Sequence, residues 1–551
     1  MSGKGGGQVF IRGGQLVMRD AVIQANTMAA QNGKVIDLQL NESINISGEL
    51  QTILSKSFGK GNAGHIIIAT PNLEIIGSSH ILTNNFAQGD GGNIDINAQQ
   101  IKMADGATII CAAYGSGQCG DLNIKATKSI SLLGVSKSNY IRAGLPYINY
   151  PTAIATTAHH GTGGQLNIES DQIDMVGSII STSSLGIGNS GDVQINAGTL
   201  NATDGSIITS SGLSSGQVGN IDINVKNTLS LSRRRVGSYI TATGIKFKNN
   251  RSSITNLGMT DKGGDISISA QTLKMDKEGF ISASILGRAT DETSGKITIK
   301  TNNLYISQGG LINNSNGIFL GGKFHVGAGH GGSIEIQAKN IDIDVDQSDL
   351  PTGIFSNTYS KRSGGDIKIQ TDSLNVTNDG TISARSNATG NSGSIVIQAD
   401  IIKLTNKGKI STEAKNAVGG NIVVKTPNLL YLHKAAIITS VGTGEGKGGD
   451  ITITSPVFVV MDSGIIKAQA DVGHGGNINI ESEQFITSPD SLISASSRLG
   501  IDGEVKIESP NVDLESFLVI LSDDVVEASS LIQKPCRMRG SSFFVQKING
   551  S

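Results

Sequence analysis

Two Gly-His-Gly triplets, at 329–331 and 473–475, carry a pattern that pectin hydrolases place beside paired carboxylates acting as general acid and base. Both triplets lie in a recurring turn, and the His330 and His474 slot holds Asn62, Asp90, Asn391 and Lys447 in other copies of that turn. A position that accepts imidazole, amide, carboxylate and ammonium alike is a solvent position. Asp523 and Asp524 adjoin each other near the C-terminus, but no further residues complete an acid–base constellation around them. No catalytic residue is expected. Asp342, Asp344 and Asp346 share one face of an alternating run, which reads as a solvated strand face, since calcium wants several converging oxygens. Cys119 fills a small-residue slot of the turn, and Cys111 aligns with Thr209 and Ala283; both read as packing residues. Neither a metal nor a cofactor is expected.

The turn belongs to a repeat of glycine, any residue, small residue, glycine, polar residue, then an alternating Ile/Val/Leu pair. It reads G-D-G-G-N-I-D-I at 89–96, G-N-S-G-D-V-Q-I at 188–195 and G-K-G-G-D-I-T-I at 446–453. The second glycines, among them Gly64, Gly92, Gly120, Gly164, Gly191, Gly219 and Gly264, are mostly about 27 to 29 residues apart, a period that means a solenoid. Within each period the pattern alternates with period two, as in Ile94, Ile96, Ile101, Met103, an Asp105-Gly106 turn and Ile109. Each repeat is expected to give three short strands and three turns, with inward aliphatic residues stacked into ladders. The predicted fold is all-β: a single-stranded, right-handed parallel β-helix with the hand taken from the crossover rule. About 17 coils over 1–508 and a C-terminal capping segment over 509–551 would make a rod on the order of 80 Å long.

Composition agrees. The chain has 551 residues, 72 of them Gly, no Trp and only 4% aromatic residues, which suits turns rich in positive φ around a narrow aliphatic core. A net charge of −2 gives no field to draw nucleic acid or an anionic membrane. No run is long and apolar enough to span a membrane as a helix, and residues 1–10 show no apolar signal region. The polar residues after the anchor glycines, Asn93, Asp121, Gln165, Asp192 and onward, never place carboxylates on adjacent coils, so they read as a structural ladder.

The coil pattern is broken by insertions at about 133–152, 232–252 and 345–352, all between the second and third strands, and by a fourth near 313–328 from a different turn. Tyr140, Arg142, Tyr147 and Tyr150 lie in the first; Arg233, Arg234, Arg235, Lys246, Lys248 and Arg251 lie in the second, about three rungs or roughly 14 Å away. Basic groups interleaved with aromatics on one edge are the candidate contacts for acidic or sulfated glycans or for a protein partner. The structural alternative is tolerated insertions whose charges aid solubility.

The glycine-anchored coils, with V-F-I-R-G-G-Q-L-V-M-R-D-A-V-I-Q-A-N-T at 9–27 and V-V-E-A-S-S-L-I-Q-K-P-C at 525–536, resemble the shaft and closing module of filamentous haemagglutinin-like exoproteins of the cyanobacterial type. The resemblance implies a secreted or cell-surface, adhesin-like protein exported by two-partner secretion, located extracellularly or on the outer cell surface. It implies neighbouring-cell or host glycans or proteins as partners. The export domain and signal peptide of that plan are not found in this sequence, so an outer-membrane transporter is a partner only if the chain is joined to such a domain. The open first coil leads to an expectation of end-to-end self-association. The competing expectation is a carbohydrate-active β-helix enzyme.

Overall fold

The computed structural model describes residues 2–49, 51–136, 140–142, 145–147, 150–212, 216–240, 246–259, 263–287, 293–320, 323–346, 350–443 and 445–509. Apart from Ser509, the expected capping segment lies outside them. Among the described residues every regular element is a strand, and the strands wind into a parallel solenoid of about 16 turns. The count falls short of the expected 17 because the last rung supplies only Val505–Glu508.

One turn consists of a long strand such as Ile94–Ala104, a corner, a shorter strand such as Thr108–Ala113, and the glycine turn. Ile94–Ala104 pairs in parallel with Ile66–Ile76 below and Leu122–Leu133 above, and Thr108–Ala113 pairs with His80–Asn85 and Ala153–Ala158. Ile94, Ile96, Ala98, Ile101 and Met103 point inward and are buried, while Gln99 and Gln100 are both exposed. That single break in alternation is a bend. The two strands expected on either side of a turn are therefore one continuous bent strand in most rungs, because the rung-to-rung hydrogen bonds carry on through the bend. Only in some later rungs does the ladder part there, as between Ile334–Gln337 and Asn340–Asp344.

The anchor glycines have a different cause from the one expected. None of them adopts positive φ; the corner glycines do, among them Gly77, Gly106, Gly134, Gly177 and Gly205. The anchors instead stack directly: a Cβ on Gly92, Gly120, Gly164, Gly191, Gly219 or Gly264 would overlap the carbonyl oxygen of the anchor one rung earlier. Backbone passes too close to backbone for any side chain. After many anchors an Asn or Asp then ties the rungs together, its side-chain oxygen accepting the next rung's N–H. Examples are Asp121 N–H to Asn93 Oδ1 at 3.0 Å, Gln165 N–H to Asp121 Oδ1 at 2.8 Å and Asp265 N–H to Asn220 Oδ1 at 2.9 Å. The His330 slot forms a second such ladder, with Asp90 N–H donating to Asn62 Oδ1 at 2.9 Å and Gln118 N–H to Asp90 Oδ1 at 2.9 Å. His330 itself pairs with Ser363 Oγ at 2.8 Å.

Inside the glycine turn, buried hydroxyls take up anchor carbonyls, Thr156 Oγ1 donating to Gly164 O at 2.8 Å and Thr182 Oγ1 to Gly191 O at 2.6 Å. Cys111 belongs to this inward column, in register with Thr83 and Thr156 and thus with Ser210 rather than Thr209, and its Sγ accepts Gly120 N–H at 2.9 Å. Burial and a hydrogen bond with Cys111 push the Cys119 thiol well up from its ordinary pKa, as befits a packing residue. The aspartate face is likewise tied rung to rung: Asn375 Nδ2 donates to Asp342 at 2.7 Å, Asn378 Nδ2 to Asp344 at 2.9 Å and Gln308 Nε2 to Asp346 at 3.0 Å. No group of three or more metal-ligating side chains occurs among the described residues, and no helix there is long and apolar enough to cross a membrane.

One ionic strap between rungs titrates. Lys409 Nζ and Ser411 Oγ each lie 2.9 Å from Glu413 Oε2, and Arg385 also pairs with that oxygen. Burial alone would raise the Glu413 pKa, but the Lys409 hydrogen bond and the charges of Arg385 and Lys409 outweigh it and bring the pKa down to about 2. Because the folded value lies below the ordinary 4.5, its contribution is complete above pH 4.5 and disappears as the pH falls toward about 2. With solvent screening at this partly exposed site it amounts to about 2 kcal/mol. Glu413→Gln should lower the urea midpoint at pH 7 and leave it close to wild type at pH 2; equal losses at both would show that the strap is not ionic.

Candidate functional site

The first and second insertions are hairpin arms leaving the same corner, between the long and short strands. Tyr140–Arg142 pairs antiparallel with Leu145–Tyr147, and Ser238–Ile240 with Lys246–Lys248. Their rungs are three apart, with the rungs of Leu166–Val176 and Val193–Thr203 between them. The hairpin Gly317–Leu320 with Lys323–Val326 follows a short strand, Leu311–Asn313, and so leaves from another turn, as its sequence position implied.

Each arm is pinned at its base by antiparallel bridges, Val135 with Pro151 and Arg234 with Arg251. A buried hydroxyl completes both. Thr152 Oγ1 donates to Leu133 O at 3.0 Å and accepts Gly106 N–H at 3.1 Å; Ser252 Oγ donates to Ser232 O at 2.7 Å and accepts Gly205 N–H at 3.0 Å. Thr352 does the same at the third insertion, accepting Gly309 N–H at 2.8 Å and donating to Leu350 O at 3.2 Å. These hydroxyl residues were not among the expected site residues, although P-T-A-I at 151–154 and P-T-G-I at 351–354 repeat their signal in the chain.

The basic residues of the second arm are only partly available. Arg234 and Arg251 converge on Glu278, at 3.2 and 3.4 Å, and the Arg251 guanidinium lies 5.6 Å from the Phe280 ring centroid. Burial pushes the Arg251 pKa down, with Glu278 opposing. Arg233 approaches Asp204 at 3.9 Å, a weak exposed pair. Arg235 differs from these three. Its backbone N–H donates to Asn250 O at 2.8 Å, and its half-buried side chain runs back along the corner over Gly205 and Gly177, toward the first arm. Both glycines have positive φ, and their bare surfaces make the channel it occupies. Among the described residues Arg235 has no ion-pair partner, so it is the guanidinium best placed to meet an anionic group between the arms.

No family model, no curated protein and no solved structure matches this chain. The site therefore stands on its own geometry. Tyr150 is 6% exposed, and its carbonyl accepts Ser136 N–H at 2.6 Å, which makes it part of the arm's foundation. The side chains of Tyr140, Arg142, Tyr147, Lys246 and Lys248 lie outside the described residues, as do residues 347–349 of the third insertion.

A second surface feature had no counterpart in the sequence reading. Phe58, Phe86 and Tyr114 stack with centroids 5.0 Å apart and planes within 6°, and His159 continues the column at 4.9 Å. One such residue follows each of the successive short strands Gln51–Ser57, His80–Asn85, Thr108–Ala113 and Ala153–Ala158, so the rung spacing sets the ring spacing. The ring faces are used by the stack, which leaves edges outward and marks the column as a structural ladder.

Proposed function

We propose that this chain is a non-enzymatic, adhesin-like shaft of a secreted or cell-surface exoprotein, which holds short arms away from a surface to contact glycans or proteins of a neighbouring cell. The observation that carries the reading is the pair of arms rising from one corner of a regular rod with Arg235 lying between them. A parallel solenoid suits a spacer, since its length scales with coil number while each coil needs only its neighbours. The resemblance to filamentous haemagglutinin-like shafts points the same way and brings with it export by two-partner secretion.

Arg235→Ala leaves the Glu278 pairs in place and should weaken binding to acidic-glycan surfaces about tenfold, the worth of one charge-assisted hydrogen bond. Unchanged binding would remove Arg235 from the contact. Protease digestion of intact producing cells should cleave the chain; a full-length protein found only in the cytosol would overturn the reading, and release of reducing or unsaturated sugar ends from polysaccharides would replace it with an enzymatic one.

A further inference from the structure

A second concavity lies at the other end of the long strand's second side, at the bend, well apart from the arms. It is a groove of about 720 Å³ running along the rod axis from Lys125 to Ser269, across five successive rungs. Its origin is a difference between bends. In the strands Leu122–Leu133 and Ile221–Ser232 the register shifts at the bend, between Ala126 and Ser129 and between Val225 and Thr228. Each of these carries an extra residue, so Thr127 with Lys128 and Lys226 with Asn227 stand out as exposed ridges. The two rungs between them turn with a single residue each, Asp171 and Gly198. Gly198 is buried, and a side chain there would strike Asp171 O, so the floor of the groove stays low.

The lining is mixed, polar side chains standing over a floor with more apolar than polar surface. Asn196 and Asn224 present amides, their contact being a long 3.4 Å bond from Asn224 Nδ2 to Asn196 Oδ1. Lys125 and Glu169 form an exposed pair at 2.8 Å, and neither Asp171 nor Lys226 has a side-chain partner among the described residues. We infer that this groove is a binding site for a short, linear, hydroxyl-rich oligosaccharide laid parallel to the rod axis. Between its two ridges the groove spans three rung steps of about 4.8 Å each, and its amides, carboxylates and ammonium groups offer both donors and acceptors to sugar hydroxyls. An extended peptide suits it less. Strand addition draws its affinity from free backbone groups, and here the backbone on both sides of the bend is committed to the rung-to-rung ladder.

The inference deepens the adhesive reading by giving the shaft its own glycan contact, and it can fail separately from the arms. The test is calorimetric titration of the full chain with linear cello-, malto- and galacto-oligosaccharides and with an extended polar peptide. Saturable binding of at least one neutral series is expected, falling at least tenfold in Asn196→Trp, which fills the groove from an exposed position, and unaffected by Arg235→Ala. The double variant Asn196→Leu with Asn224→Leu removes the amides without adding bulk and should show the same loss if the tryptophan perturbs folding. Absence of binding by every neutral series, preference for the peptide, or binding unchanged in both groove variants would overturn the proposal. A loss in Arg235→Ala alone would overturn it too, while leaving the arms as the contact.

Discussion

Replacing Gly264 with valine should destabilise the solenoid by about 3 kcal/mol or more, among the largest effects available to a single substitution outside its core. Its Cβ would overlap Gly219 O and lie 2.8 Å from Asn256 Nδ2, and neither can retreat: the first belongs to a paired backbone, and the second donates to Asp265 O at 3.1 Å. Because each coil rests only on its neighbours, the loss should be local. Hydrogen exchange at Ile221 and Ile266, whose amides bond across adjacent rungs, should quicken more than exchange in distant rungs. Gly134→Ala supplies the contrast. Gly134 has φ of 69° but nothing within 4 Å of its missing Cβ, so alanine there meets only backbone strain of about 1 kcal/mol. Equal losses at the two sites would show that close stacking is not what fixes the anchor glycines.

The second large effect is expected from Glu278→Ala. Glu278 is the shared partner of Arg234 and Arg251, with only 14% of its side chain exposed, whereas the Arg251 side chain is 29% exposed. Removing the carboxylate leaves two facing guanidinium groups, one of them largely desolvated, and should cost about 3 kcal/mol at the arm base. Glu278→Gln, which keeps shape but not charge, should cost less. The readout is protection of the Arg235, Asn249 and Ser252 amides, all hydrogen-bonded within that base. Unaltered protection would mean that the antiparallel bridge and Ser252 hold the arm by themselves. The same variant should weaken partner binding through Arg235, whose path over Gly205 starts from that base.

Much of this molecule was legible in its sequence. The anchor glycines marked the rungs, the alternation of Ile94, Ile96, Ile101 and Met103 marked the inward face, and the insertions at 133–152 and 232–252 were placed at one corner, where their hairpins stand. Less legible was the bend. Whether Gln99 ends a strand or continues it depends on neighbouring rungs sustaining the ladder. Positive φ, assigned from composition to the glycines at large, belongs to the corner glycines and not to the anchors, a distinction that only the stacking distance reveals. The candidate arginines illustrate the same limit: Glu278, 27 residues from Arg251 in sequence, decides which of them are committed.

A 28-residue period such as that from Gly64 to Gly92 is a property of the chain, so the sequence by itself determined the solenoid, its aliphatic core and the rungs that carry the arms. Tertiary structure decided the rest. The groove between Lys128 and Lys226, the passage of Arg235 across two rungs and the ring column from Phe58 to His159 join residues of different coils. Their geometry is set by the rung spacing of about 4.8 Å and by how many residues each bend holds. Neither quantity is written at any one position of the chain; both arise when coils stack.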